Sequence, residues 1–355
     1  MSFTPDYTNL QKSAYNKKIK RIPLSDHIIS AKVMGEIMGC GDFTSLFGQG
    51  KEGKREYLKR SIDFCLMTGY DCIPFECSTG SVMPGSGSLG GHKDGIIKTR
   101  EDFEKYPWKE IPDMFFNAYD ETYTLLGELL PDGMKAVGGP GNGVFECVQD
   151  ITGYMDLCYI REDDPELYRD LFFAVGDMMS AIWSRFMKKY GDIYAVCRFG
   201  DDLGFKSTTL IAADDIRELV IPQYKRIIDT VHSYNKPFLL HSCGCIFDVM
   251  DDIINVAGID AKHSNEDVIA PFTDWVERYG KKIGNFGGVD TDVLSQESPE
   301  QIKRYVFEIL EKLDAMDDCG GIAIGCGNSI PDYIPASGFM AMNEAVREYR
   351  GDFAK

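Results

Sequence analysis

The segment FLLHSCGC, residues 238–245, carries the residue types and the spacing of a metal site. Its apolar start predicts a buried β-strand, and side chains along a strand alternate between its two faces. His241 and Cys243 are two residues apart, so one imidazole nitrogen and one thiolate are expected on the same face. Zinc prefers this mixed set of nitrogen and sulfur ligands. The pair therefore predicts two zinc ligands.

A third protein ligand has to come from another part of the chain. Cys326 is the leading candidate, because it ends a second apolar run, GIAIGC at 321–326, and glycines flank it. Cys245 is the rival, but Gly244 predicts a turn into the following helix that would direct Cys245 away. Three protein ligands and one open position are typical of catalytic zinc. The alternative interpretation is that His241 is a core histidine and the cysteines are small apolar packing residues.

Short β-type runs alternate with longer helical patterns over most of the chain. The predicted strands are 71–75, 135–138, 193–199, 237–240, 259–262, 282–286 and 321–324, and the main helices between them are 165–190, 213–234, 247–256, 271–279 and 299–317. This alternation favours a parallel sheet. Seven strands, with an eighth expected in the first 60 residues, favour an α/β fold of the (β/α)8 TIM-barrel type. We expect a helical N-terminal extension at 1–60, with an amphipathic helix at 51–68, packed on a single barrel domain at 61–355.

Polar residues follow the predicted strands at the end where barrel enzymes place their chemistry. We predict Glu266, His263 and Asp202 as catalytic residues, with Glu266 best placed to fill the fourth zinc position. His263 is either a general acid or an outer partner of the zinc ligands. The alternative for each is a capping carboxylate or a structural histidine. The predicted substrate-binding residues are Glu76, Asn142, Glu146 and Asp202.

Composition excludes several classes of function. The chain has 355 residues, 44% of them hydrophobic, which is enough for a substantial core. A net charge of −18 disfavours binding to nucleic acid or to an anionic membrane surface. No apolar run is long enough to predict a membrane span, and the first residues lack the pattern of a secretory signal. Eleven scattered cysteines favour a reducing, cytoplasmic setting, and the sequence leaves an oligomer possible.

Several segments of the chain resemble the uroporphyrinogen decarboxylase superfamily, and in particular its corrinoid-linked methyltransferases. His241-Ser-Cys243-Gly followed by Gly-Cys326-Gly is similar to the zinc motif of the methyltransferases that serve coenzyme M and of those that demethylate phenyl ethers. Segments 139–140, 164–167, 200–204 and 287–290 are similar to the superfamily as a whole. The resemblance covers most of the chain. It implies a barrel fold, a zinc ion held by His241, Cys243 and Cys326, and a corrinoid (cobalamin) as the methyl carrier.

Two departures from the superfamily narrow the expected function. The decarboxylases hold the carboxylates of a tetrapyrrole with an arginine-rich N-terminal segment, whereas the corresponding stretch here, IPLSDHII at 22–29, has no arginine. Decarboxylation of that substrate is therefore not expected. The sequence also lacks the Asp-x-His-x-x-Gly signature of corrinoid binding, so a separate corrinoid protein would present the cobalamin.

These observations predict a zinc-dependent methyltransferase. The leading interpretation is transfer of a methyl group from a small donor, such as a methoxylated aromatic compound, to the Co(I) corrinoid of a partner protein. The content of 21 Phe and 18 Tyr favours an aromatic donor. The sequence also shows no basic patch that could hold the sulfonate of coenzyme M or the polyglutamate of a pterin. The alternatives are transfer from the methyl-corrinoid to a thiol such as coenzyme M or to a pterin, and a barrel in which zinc is structural and the protein only binds a partner.

Overall fold

The computed structural model describes residues 3–91, 93–316 and 319–353. Within these residues, seven parallel strands form one sheet in which each strand pairs with the next along the chain. The order of the strands confirms the predicted parallel α/β sheet, and each predicted strand is present. The strands are β1 Cys72–Ser78, β2 Lys135–Gly141, β3 Tyr194–Gly200, β4 Phe238–His241, β5 Ala261–His263, β6 Gly284–Val289 and β7 Ile322–Cys326.

Helices connect the strands and cover the outer face of the sheet. The longest, α8, has the predicted bounds, whereas α14 ends before residue 317, which lies outside the described residues. The α-helices are α1 Tyr7–Ala14, α2 Ala31–Met38, α3 Gly50–Thr68, α4 Arg100–Lys105, α5 Ile111–Leu129, α6 Val144–Thr152, α7 Tyr154–Asp163, α8 Pro165–Tyr190, α9 Ala213–Asp215, α10 Ile221–His232, α11 Phe247–Asp252, α12 Phe272–Tyr279, α13 Thr291–Gln296, α14 Pro299–Asp314 and α15 Ala336–Tyr349. Short 3-10 turns lie at Thr44–Gly48, Gly80–Val82 and Gly191–Ile193, and π turns at Ile216–Val220 and Ile253–Ala257.

The predicted eighth strand is not formed within the described residues. Residues 22–30 lie beside β7, where the N–H of Ser25 donates to the carbonyl of Ile324 (2.9 Å) and the N–H of Ile324 donates to the carbonyl of Pro23 (3.0 Å). These bonds make an isolated bridge at Leu24 and no continuous ladder, because a proline removes one backbone donor. Within the described chain β1 pairs with β2 alone, so its other edge is open. The described residues therefore form a curled, TIM-like sheet of seven strands, and they do not confirm a closed barrel of eight.

Helix α1 closes the amino end of this curled sheet. Leu10 and Ala14 pack into one apolar cluster with inward-facing residues from all seven strands, among them Leu239, Ala261 and Ala323. All of these side chains are buried, and full burial of one residue the size of Leu10 stabilises a fold by about 1.5–3 kcal/mol. The interior is thus filled from the amino end, and the carboxyl end is left for polar side chains.

The residues before β1 hold helices α1, α2 and α3 and the extended stretch 22–30. Helix α3 runs across residue 60, and the predicted domain boundary at that residue stays a prediction. No helix in the described ranges combines the length and the apolar character that crossing a membrane needs.

Candidate metal centre

His241 and Cys243 come together at the carboxyl end of β4. His241 is the last residue of that strand, and its Nε2 lies 3.3 Å from Sγ of Cys243. In the loop after β3, Oδ1 of Asp202 lies 3.7 Å from the same nitrogen. A tetrahedral zinc ion with bonds of about 2.0 Å to nitrogen and about 2.3 Å to sulfur holds two such ligand atoms roughly 3.5 Å apart. The three side chains therefore have the atom types and the spacing that fit a zinc ion.

A second histidine determines which nitrogen of His241 carries the proton. Nε2 of His263 donates to the backbone carbonyl of Cys326 (2.9 Å), so in a neutral ring its Nδ1 is an acceptor. Nδ1 of His241 then donates to Nδ1 of His263 (2.7 Å), which leaves Nε2 of His241 without a proton and next to Cys243. Burial lowers the pKa of both rings, that of His263 to about 3. Because both nitrogens of His263 take part, the relay favours an orienting role for His263 over that of a general acid.

Asp202 is held beside the thiol by a backbone hydrogen bond. Its Oδ1 accepts from the N–H of Cys243 (2.8 Å), and its own N–H donates to Oε1 of Glu146 (3.3 Å). The side chain of Asp202 is 43% exposed, so solvent or a ligand can reach it. Asp202 is the predicted acidic residue that the structure brings into the group with His241 and Cys243.

The preceding residue, Asp201, anchors the first turn of α6. It accepts from the backbone N–H groups of Phe145 (2.9 Å) and Glu146 (2.8 Å) and from the hydroxyl of Tyr224 (2.5 Å), and burial raises its pKa to about 6. Burial, followed by the charge of Asp201, also raises the pKa of Glu146. Asn142 donates to Glu146 through Nδ2 (3.0 Å). Asn142 and Glu146 thus belong to a network beside the centre, and their contact with substrate stays a prediction.

Polar groups surround the thiol of Cys243. Nδ2 of Asn328 donates to Sγ at 3.3 Å, and the hydroxyl of Ser264 donates to it at 3.7 Å. Burial, followed by the charge of Asp202, raises the pKa of the thiol. A bound cation acts in the opposite direction and deprotonates a coordinating thiol. The two donors are thus placed to stabilise the thiolate that such a cation would bind.

The thiol of Cys326 lies outside the group formed by the described side chains of His241, Cys243 and Asp202. It is buried against Oγ1 of Thr291 (3.3 Å) and the carbonyl of Ser329 (3.6 Å).

Burial raises the pKa of Cys326 to about 12. The backbone N–H of Asn328 points to this sulfur at 3.4 Å, while the side chain of Asn328 contacts Cys243. Asn328 therefore bridges the two thiols, and Cys326 as a third ligand stays a prediction.

The rival ligand Cys245 belongs to neither candidate ligand group of the described residues. Gly244 before it has a φ of +81°, and a Cβ at that position would lie 2.1 Å from the carbonyl carbon of Gly204. The N–H of Cys245 donates to the carbonyl of Phe205 (2.6 Å). A glycine is thus required at the turn, and the turn packs against the loop after β3 and hydrogen-bonds to it.

Glu76, at the carboxyl end of β1, forms an ion pair with Arg198 of β3. Arg198 donates from Nη2 (2.8 Å) and Nε (3.2 Å) to Oε2 of Glu76, and from Nη2 to the carbonyl of His27 (2.9 Å). The Arg198 side chain is 2% exposed. Removing one partner of a buried pair leaves an uncompensated charge at a cost of about 3–5 kcal/mol. Glu76 is therefore the counter-ion of Arg198, and its predicted contact with substrate stays a prediction.

The ring of His27, a residue that the sequence analysis did not single out, stacks on the ring of His241. The ring centroids are 3.8 Å apart and the planes differ by 9°. Nitrogen lone pairs lie in the ring plane, so two parallel rings do not direct them to a common point. His27, although close enough to His241 and His263 to form a candidate ligand group, acts as a packing partner of His241.

A cavity of about 450 Å³ opens beside the centre at the carboxyl end of the sheet; we call it the mouth cavity. Its lining includes Glu266, Asp290, Asp292, Asn328 and Tyr333. Partial burial, together with the nearby charge of Asp290, raises the pKa of Glu266. Tyr333 is the one aromatic residue in this lining, so the aromatic-rich pocket expected from composition is not found here.

A buried lysine also lies behind the centre. Lys262 donates to the carbonyl of Ser264, and its Nζ lies 3.6 Å from the centroid of the Trp275 ring. Burial lowers its pKa to about 7. Lys262 and Arg198 had a signal in the sequence, since each is a charge within a predicted apolar strand. His27 and Asn328 had none, because their roles depend on contacts with distant segments.

Comparisons with known proteins agree with this architecture. The sequence profile of the family described as Uroporphyrinogen decarboxylase (URO-D) matches residues 97–349. Among solved structures, the fold is similar to a methyltransferase from Methanosarcina mazei, with 16% identity and a TM-score of 0.69 over 98% of this chain and 99% of that one. The β-glycosidase from Thermosphaera aggregans matches with 11% identity and a TM-score of 0.45, over 93% and 96% of the two chains. No curated protein matches the sequence. At 16% identity, the likeness to the methyltransferase is one of fold.

Proposed function

The chain belongs to the uroporphyrinogen decarboxylase family, and from this premise we propose that it is a zinc-dependent methyltransferase that works with a corrinoid protein. It would move a methyl group from a small donor, such as a methoxylated aromatic compound, to the Co(I) corrinoid of that partner. The relay from the carbonyl of Cys326 through His263 to His241 carries the proposal. Such a relay is what orients a histidine that binds a metal, and it presents the free nitrogen to Cys243.

We assign His241, Cys243 and Cys326 as the protein ligands of zinc, with Asp202 in the fourth position until the donor replaces it. The similar motif of the corrinoid-linked methyltransferases and the contacts of Asn328 with both thiols support this assignment. Once the donor has replaced Asp202, two thiolates and a neutral imidazole bring the net charge of the site close to zero. Such a site suits a mild Lewis acid with an exchangeable position.

When bound, zinc would polarise the heteroatom that carries the methyl group. The residues of this chain supply the rest. His263 keeps Nε2 of His241 free of a proton, and Asn328 and Ser264 hydrogen-bond to Sγ of Cys243. Glu266, whose pKa is raised at the mouth cavity, is the residue that we propose as the acid that gives a proton to the departing oxygen.

A polycarboxylate substrate, as a decarboxylase of this family would need, fits the site poorly. Arg198 is already neutralised by Glu76, and residues 22–30 contribute no arginine. The mouth cavity also carries the carboxylates of Asp290 and Asp292. These charges would repel a polyanion, whereas a small neutral donor meets no such barrier.

The face around the mouth cavity is where we propose that the corrinoid protein docks. Phe205, Val268 and Tyr333, in the loops after β3, β5 and β7, are at least 60% exposed. Apolar side chains that stay exposed around a site are typical of an interaction surface. All eleven cysteines are unpaired, which supports the reducing, cytoplasmic setting that we propose for both proteins.

Formation of the Co–CH3 bond tests the proposal directly. The zinc-loaded protein is mixed with cob(I)alamin and with a methoxylated aromatic compound, methanol, methylamine or methanethiol in turn, and the loss of Co(I) absorbance is followed. We expect methylation with one donor class and none after the metal is removed by a chelator. Retention of the fold after chelation separates catalytic from structural zinc. If no donor is turned over, while methylcobalamin methylates an added thiol, the direction of transfer is the reverse of the one proposed.

A further inference from the structure

The open edge of β1 borders a cavity of about 240 Å³, which we call the seam cavity. Apolar side chains from α2, α3, the turn at Thr44–Gly48 and β1 form its walls, among them Met34, Phe47, Ile73 and Phe75. The cavity lies between β1 and residues 22–30, where a closed barrel would have its eighth strand. An apolar cavity of about 150 Å³ is enough to hold benzene. The seam cavity therefore has room for a substituted benzene ring.

The inner end of the seam cavity is polar but has no net charge available for a ligand. Glu76 and Arg198 lie there, and their charges cancel in the ion pair at 2.8 Å. His27 is the third polar side chain at this end, and it is 7% exposed. Nδ1 of His27 is buried without a hydrogen-bond partner. His27 thus borders a mostly apolar cavity and carries one nitrogen whose hydrogen bond is unmade.

We propose that the seam cavity is a binding site for a small, neutral phenol, with the ring against Ile73 and Phe75 and the hydroxyl bonded to Nδ1 of His27. A hydroxyl can donate or accept, so it satisfies His27 in either tautomer. A carboxylate or an ammonium group fits worse, because burying a charge without a free counter-ion is far more costly than burying a neutral hydroxyl.

A phenol in this site would be one ring away from the metal centre, because His27 stacks on His241 at 3.8 Å. A phenol is also what remains when an aryl methyl ether loses its methyl group. That link between the site and turnover rests on the proposed function, whereas the binding itself does not. A ligand bonded to His27 would fix the ring that packs on His241 and so connect the seam cavity to the metal centre.

Phenol and toluene provide a matched pair of probes, since they have nearly the same shape and differ in the hydroxyl. Binding of each to the full chain is measured by calorimetry at pH 7, without corrinoid or methyl donor. A purely apolar cavity prefers toluene, because burying an unpaired hydroxyl is unfavourable. We expect phenol to bind at least as tightly as toluene to the wild-type protein. We expect the ratio of phenol to toluene affinity to fall about 10-fold or more in His27→Phe, which keeps a stacked ring and removes Nδ1.

The control is the same substitution at a histidine that does not line the cavity. His232 on α10 hydrogen-bonds to Asp260 (2.7 Å), and His232→Phe is expected to leave the phenol-to-toluene ratio unchanged. A preference for toluene in the wild-type protein, or an unchanged ratio in His27→Phe, would overturn the proposal.

Anomalous scattering from 4-bromophenol in wild-type crystals supplies an answer that needs no variant. Bromine in the seam cavity, with the hydroxyl at hydrogen-bond distance from His27, supports the site. Bromine in the mouth cavity, or at neither place, refutes it. Because these measurements use the resting protein, failure of methyl transfer leaves their outcome unchanged, and failure to bind phenol leaves the proposed function standing.

Discussion

The two sides of the candidate metal centre are built in different ways. On the β4–β5 side, His263, His241 and Cys243 form a continuous series of contacts between 2.7 and 3.3 Å. On the β7 side, the thiol of Cys326 faces Thr291 and the carbonyl of Ser329. One side therefore presents its ligand atoms to the centre, and the other directs its sulfur elsewhere.

This difference divides the work of metal binding between the two sides. Ligand atoms that are already in place lose little conformational freedom when an ion binds, so the β4–β5 side should decide whether zinc is held at all. The β7 side has to exchange contacts with Thr291 and Ser329 for a bond to the ion. Cys326 should therefore influence how tightly zinc is held and how many protons its binding releases.

Loss of Cys243 should have the largest effect, because it removes a ligand from the side that is already assembled. Cys243→Ala should lower zinc affinity by more than about 1000-fold, because it removes a thiolate that would bind the ion directly. The measurement is the zinc content of the purified variant after dialysis against a chelator. Cys245→Ala is the matched control, two residues along the same loop, and should keep one zinc per chain. If both variants lost zinc equally, Cys243 could not be distinguished from Cys245 as the ligand.

Loss of Cys326 should have a smaller but clear effect on zinc affinity. We expect Cys326→Ala to bind zinc about 100-fold more weakly, because His241, Cys243 and Asp202 remain as ligands. Competition with a chelator of known affinity gives the value. Asp202→Asn is the comparison variant, and it should retain zinc more tightly than Cys326→Ala. The opposite order would make Asp202 the third ligand and remove Cys326 from the site.

Removing the relay without removing a ligand should have a moderate effect. His263→Phe leaves Nδ1 of His241 without its acceptor, and loss of such an outer partner typically weakens metal binding about 10- to 100-fold. His232→Phe, the same change on α10, should leave zinc affinity unchanged. If His263→Phe bound zinc as tightly as the wild type, the hydrogen bond from His241 to His263 would not be what positions the ligands on the β4–β5 side.

The same contrast explains what could be predicted from the sequence. The strand alternation places His241 and Cys243 on one face, and a contact two residues apart is local enough to be read from the spacing. The seven strands were predictable because apolar runs and helical periods alternate along the chain. The orientation of the Cys326 thiol was not predictable, since it depends on which of Thr291, Ser329 and Asn328 the last residue of β7 meets.

Contacts between distant segments account for the rest of what sequence reasoning missed. His27 is 214 positions before His241, and its stacking follows from how residues 22–30 pass beside β7. An eighth strand was expected within the first 60 residues, but at 22–30 Pro23 and the buried side chains of Asp26 and His27 interrupt a regular ladder. Asp26 instead accepts from the N–H of Cys326 (2.8 Å). The open seam is thus a consequence of tertiary contacts that no periodicity encodes.

The last predicted effect concerns protons, and it separates the two sides most cleanly. Burial raises the pKa of Cys243 above its usual range and that of Cys326 to about 12, so both are neutral thiols at pH 7 in the metal-free protein. Each thiol that binds zinc has to release its proton, whereas His241 is neutral already and releases none. Zinc affinity should therefore rise with pH, by about 10-fold per pH unit for each ligating thiol below its pKa.

For the wild-type protein this amounts to about 100-fold per unit between pH 6 and 8, and for Cys326→Ala to about 10-fold. Calorimetry in buffers of different ionisation enthalpy counts the released protons directly, and Cys245→Ala should match the wild type. Two protons in the wild type and one in Cys326→Ala would establish Cys326 as a ligand, even if the variant still holds zinc. An equal count in both proteins would mean that the β7 thiol keeps its contacts with Thr291 and Ser329 when the ion binds, and that Asp202 completes the site.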